Sequence, residues 1–149
     1  MAAGDVTLFE EFGREAIEEI HDFANDTLKL GLIDNSTPPT AADATPRWAD
    51  YSGNEVSTGG NYTANGETLT TVTWQEAAGV STLNADNVEL AQDGSGFTDA
   101  YWGILYNDSA ANDEAIAFVE LGGPVSEQAG PVNINWNASG IFTLTVNAS

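Results

Sequence analysis

The single histidine, His21, is the first place to look for proton chemistry, because imidazole changes charge near neutral pH. One histidine cannot supply a two-histidine metal site. The chain also has no cysteine and no Gly-x-Ser-x-Gly elbow with which a base could activate a nucleophile. His21 lies among Glu18, Glu19 and Asp22 in a segment with helical spacing, and reads as a surface or helix-end residue. Carboxylates are the abundant reactive groups, with 23 Asp and Glu. A glycosidase-type pair needs two of them set apart by their surroundings, and no spacing sets two apart. Calcium suits carboxylates better, since it gathers several oxygen ligands in turns. Asp93 to Asp99 and Asn107 to Glu114 place acidic residues in such turns, but neither has the EF-hand spacing or its glycine. No phosphate-binding loop or dinucleotide fingerprint is present. The expectation is a protein that is not an enzyme, with no catalytic, cofactor-binding or metal-binding residue and no cofactor.

Charge narrows the partners. Only Arg14, Lys29 and Arg47 are basic, and the net charge is −20. Such a chain repels nucleic acid and anionic membrane surfaces, so neither is an expected partner. No apolar run approaches the length of a bilayer span, and no basic region followed by an apolar stretch suggests a leader peptide. Two readings of the acidity remain: a saline setting that screens the repulsion, or a partner with a basic docking surface.

The elements that must position any site are mostly strands. Residues 1–7 look frayed, and 1–26 read as an N-terminal helical segment ahead of a β domain at 27–149, together a single domain over 1–149. Thr7-Leu8-Phe9-Glu10 has the form of a capping box. Leu8, Phe12, Ile20 and Phe23 recur near helical spacing, which predicts one amphipathic helix of roughly five turns ending at Asn25-Asp26. It would cover an open side of the β domain or act as an arm that packs on a neighbouring subunit. Alternation then predicts strands over Thr27 to Ile33, Glu67 to Glu76, Val80 to Leu83, Asn87 to Ala91, Asp99 to Asn107 and Glu114 to Leu121. Between them, Asp34 to Pro46 is a proline-bearing loop, Asp93 to Gly96 a turn, and Gly122-Gly123-Pro124 the start of another loop. Asp99 to Asn107 is apolar on both faces and reads as the central strand. Val132 to Val146 reads as a closing β-hairpin bent at Asn137 to Gly140. The pattern is mainly β: an antiparallel β-sandwich or barrel-like domain of about seven or eight strands with one N-terminal amphipathic α-helix.

The order of segments resembles a family of small structural, capsid decoration or cement-like proteins of tailed bacteriophages. Four stretches carry the likeness: Asn25 to Asp34 (NDTLKLGLID); Gly53 to Ser57 running on to Asn61 to Leu69; Trp102 to Ser109 (WGILYNDS); and Ile134 to Leu144 (INWNASGIFTL). They span about residues 25 to 146. The opening helix is longer than such sequences lead one to expect, and lysine is nearly absent. The resemblance implies a virion structural protein made in the host cytoplasm. It would bind the outer surface of the head and stabilise contacts between copies of the major capsid protein, as a homotrimer on the particle. A tail, baseplate or fibre component is the alternative within virions. A carbohydrate-binding β module with Trp48, Tyr51 or Trp74 as its sugar platform is the alternative outside them.

Overall fold

The computed structural model describes residues 4–147. Ten strands run in chain order: β1 Val6–Leu8, β2 Leu28–Ile33, β3 Glu67–Thr68, β4 Thr73–Ala77, β5 Val80–Asn84, β6 Val88–Leu90, β7 Ala100–Asn107, β8 Ala115–Val125, β9 Val132–Ile134 and β10 Phe142–Thr145. Two short helices, α1 Phe12–Ile17 and α2 Trp48–Tyr51, complete the elements with a 3-10 turn at Ser52–Asn54. Every strand pair is antiparallel, in sheets ordered β1-β8-β7-β2-β3, β10-β5-β4 and β6-β9. The domain is mainly β and sandwich-like, as alternation predicts.

β7 shows why the large sheet is buried on both sides. Trp102, Ile104 and Tyr106 point to one face and Gly103 and Leu105 to the other, because strand side chains alternate. On the first face Ile104 and Tyr106 join Phe9, Ile33, Trp48, Tyr51, Ala115 and Phe118. On the second, Leu105 joins Leu28, Leu30, Leu32, Ala117 and Val119 against the small sheets, through Leu83, Val88, Leu90, Val132, Ile134 and Phe142. Gly31 makes the first face fit. A Cβ there would lie 2.3 Å from two ring atoms of Trp48, whose indole stacks on Tyr106 at 5.2 Å and 3°.

The N-terminal segment is not one amphipathic helix. Val6–Leu8 is a strand whose Thr7 pairs with Phe118 on β8, so the Thr7–Glu10 capping box does not form, and Gly4 to Leu8 is paired rather than frayed. α1 has six residues and stops at Glu18. Glu19 follows in the left-handed region at φ 59, and the Ile20 N–H returns to the Glu15 carbonyl at 3.1 Å, as in a Schellman ending. The reversal has a packing reason. A continuous helix would hold Phe12 and Phe23 about 16 Å apart along its axis. Folded back, their rings sit 6.1 Å apart and both are buried.

The closing hairpin is also replaced. β9 pairs with β6 and β10 with β5, in different sheets, although each keeps its alternating pattern. Trp136, between them, is held by earlier residues: its N–H bonds to Asn87 Oδ1 and its indole N–H to the Asp86 carbonyl. Glu67 to Glu76 divides into β3 and β4, which belong to different sheets, around Thr71 at φ 53. β8 runs on through Gly122-Gly123-Pro124 to Val125. Leu121 to Pro124 bulge opposite Tyr101, between the pairs Trp102–Glu120 and Ala100–Val125.

Candidate functional site

His21 is not a surface residue: its side chain is 1% exposed. Its ring meets those of Phe12 at 5.7 Å and Phe23 at 5.6 Å. The turn after α1 brings it there, and the end of β7 holds it. Asn107, wholly buried, fixes its own amide orientation by accepting the Ser109 N–H on Oδ1 at 3.0 Å. Its Nδ2 donates to Asp26 Oδ2 at 2.6 Å and lies 3.1 Å from His21 Nδ1. With that nitrogen accepting, the proton of neutral His21 belongs on Nε2, which faces Glu15 Oε2 at 3.1 Å. Burial pushes the Glu15 carboxyl above its ordinary range, against the opposing pull of the His21 hydrogen bond. Both ring nitrogens are therefore spent. The Glu15–His21–Asn107–Asp26 chain ties the 18–26 turn to the large sheet.

Beside this chain the surface opens. A cleft of about 450 Å³ is lined by Ala16, Glu19, His21, Asp22, Phe23, Ala24 and Trp74. A second hollow, about 230 Å³, continues past Trp74 to Ser81 and Leu144. Trp74 on β4 packs edge-on against Phe23 at 5.3 Å and tilts onto Phe142 at 5.9 Å, and it remains half-buried. The other three tryptophans have their indole N–H groups bonded: Trp48 to Asn65, Trp102 to Asn35 and Trp136 to Asp86. The Trp74 N–H has no acceptor among the described residues. Ile17, 84% exposed, follows Ala16 at the cleft, and Leu144, 45% exposed, flanks the second hollow.

A second unusual carboxylate is Glu127, which is 0% exposed. Its Oε1 accepts the Asn61 N–H at 2.7 Å, while Oε2 has no hydrogen-bond partner. The Gly60 and Gly96 backbones lie against it, so closely that a Cβ on either would come within 2.5 or 2.3 Å of Oε2. The side chain staples the loop before Tyr62 to the Asp93–Phe97 turn, whose Phe97 carbonyl accepts the Glu127 N–H.

The two turns that could have suited calcium are closed on themselves. Asp93 Oδ1 accepts the Ser95 N–H, and Glu114 accepts both the backbone and the side chain of Asn112. Among the described residues no three His, Asp or Glu are grouped to hold a metal. Trp48 and Tyr51 are 4% and 2% exposed and belong to the core. Sequence reasoning missed the cleft because it assigned Phe12, His21 and Phe23 to one continuous helix. Nothing in the Glu18-Glu19-Ile20 run advertises the reversal, since the left-handed position that ends α1 holds glutamate and not glycine.

No family model, no curated protein and no solved structure matches the chain.

Proposed function

We propose that this chain is a non-enzymatic structural protein of a tailed bacteriophage virion: a decoration or cement protein that binds the outer surface of the head and bridges copies of the major capsid protein. One observation supports it above the others. The chain carries a net charge of −20, and two of its three cations are already held by carboxylates. Arg14 bridges Glu11 and Glu18, and Lys29 meets Asp108 at 3.0 Å. A surface of this kind seeks a basic partner and keeps copies of itself apart. The order of segments described above supplies the capsid setting. Modest contacts repeated over a closed lattice add to firm attachment, because a subunit held at several points cannot leave by breaking one. The burial of Trp48 and Tyr51 removes two of the three aromatic residues a carbohydrate-binding module would use and leaves Trp74 alone, short of an aromatic row on one sheet face.

The test is copy number in purified particles of the virus that encodes the chain, by quantitative mass spectrometry against the major capsid protein. A ratio near one to one, or a simple lattice fraction, supports decoration of the head. A few copies per particle move the protein to the tail or baseplate, and absence removes the virion reading.

A further inference from the structure

The cleft beside Trp74 joins three features that point to one kind of ligand. Its floor is aromatic: Phe23 and His21 lie nearly parallel at 6°, with the half-buried Trp74 edge-on to Phe23. Its rim carries the carboxylates of Glu19 and Asp22, and no lysine or arginine lines it. The exposed Glu19 carboxylate has no partner among the described residues, while Asp22 accepts the Ala24 N–H on Oδ1 and the Asn25 amide on Oδ2 and keeps one further lone pair on each oxygen. An indole face attracts a cation, most strongly a planar guanidinium that can also give its N–H groups to carboxylates at its edge. A second copy of this chain is a poor occupant, because two bodies of charge −20 repel one another.

We propose that this cleft is a socket for an arginine side chain presented by a partner protein. The guanidinium lies over Trp74 and donates to Glu19 and Asp22, and its aliphatic stem runs along Ala16 and Ala24. The inference rests on the reading that the protein acts by binding a basic surface, and it names where. The backbone of Glu19 agrees with it. At φ 59 the position ending α1 favours glycine, so a glutamate there is held against its conformational preference.

The experiment titrates the full chain, labelled with nitrogen-15, with the tripeptide acetyl-Gly-Arg-Gly-amide, and separately with its neutral citrulline counterpart. The arginine peptide is expected to shift the Trp74 indole N–H saturably and to bind about tenfold more tightly than the citrulline peptide. Glu19→Gly is expected to weaken binding about threefold or more while raising the melting temperature. Trp74→Leu is expected to weaken binding about tenfold, read from the backbone amides of Glu19 and Asp22. Neutralising two remote exposed acids, Glu89→Gln with Asp99→Asn, is expected to change affinity by less than about twofold, as befits screened distant charges. Equal binding of the two peptides, no saturable shift, or an equal loss from the remote pair would each overturn the proposal. Particle copy number separates this outcome from the fate of the capsid reading. A protein abundant on heads whose cleft ignores arginine loses only the socket, and one that binds arginine but is missing from particles loses only the virion.

Discussion

Two aromatic clusters lie in this domain, and they are finished differently. Around Trp48 everything is closed. The indole stacks on Tyr106 over the bare backbone of Gly31, and the Tyr106 hydroxyl donates to the Asn65 carbonyl. The Tyr51 hydroxyl donates to Asp43 at 2.8 Å, and burial together with that carboxylate raises the tyrosine's proton affinity. Asp43 itself sits below its ordinary range: burial pushes it up, but the hydrogen bonds from Thr40 and Tyr51 outweigh that. Around Trp74 the packing stops short: the ring is only partly buried and its N–H has no acceptor among the described residues. The difference separates aromatic residues that hold a fold together from aromatic residues left available to something else.

Truncating each tryptophan is the largest break of this contrast. Trp48→Ala should lower the free energy of unfolding by about 4 kcal/mol, in line with other fully buried aromatic deletions, whereas Trp74→Ala should lower it by about 1–2 kcal/mol because its ring is only partly buried. Urea denaturation of the two variants measures both, and equal losses would erase the distinction. Gly31→Ala attacks the closed cluster from beneath. Its new methyl must displace the Trp48 ring, with an expected loss of about 2–3 kcal/mol and a changed near-ultraviolet circular dichroism signal.

Glu15→Gln probes the open side. The folded state binds the Glu15 proton more tightly than the unfolded chain does. This residue therefore makes stability fall as pH rises from about 4.5 through its elevated pKa, and its full penalty applies above that. Glutamine can still accept the His21 N–H and carries no charge. The variant should gain most over the parent at neutral pH, with the gain shrinking as pH falls toward about 4.5. Chemical denaturation across that range checks it, and a gain that grows on acidification would reverse the sign. The smallest effect is Glu19→Gly, expected to stabilise the free protein by about 0.5–1 kcal/mol by relieving the left-handed position.

What could be read from the sequence follows from how local the deciding forces are. β7 was legible because burial on both faces writes an apolar residue at every position, and the swap of faces between Tyr106 and Leu105 is a property of the strand alone. β6, β9 and β10 were legible as strands by their alternation, with apolar residues on one face only. Their partners were not: β9 and β10 are close enough in sequence to suggest a hairpin, and only the Trp136 contacts with Asp86 and Asn87 send them to different sheets. The N-terminal segment failed because Phe12 and Phe23 fit both a helix face and a chain folded back on itself. Long-range packing against Phe142 and Trp74 selected the second. Of the site, Trp74 was in view as a surface aromatic, but Glu19, His21 and Asp22 could not be joined to it without that turn. Glu127 was hidden altogether, because the glycines that enclose it lie 67 and 31 residues earlier in the chain.

The pairing of Val6 with Val119 has a consequence for how the protein is made. β1 leaves the ribosome well before its partner and has no ladder until β8 emerges. Through most of synthesis, therefore, the outer edge of the large sheet is missing and Phe9 lacks its pocket against Phe118. Closing so long a loop delays the assembly of the native sheet. A product cut short before residue 115 would lack β8 altogether and leave β7 as an open apolar edge, the kind of species that aggregates or is degraded. Emergence of β8, and not the appearance of the first elements, is the event that completes the large sheet.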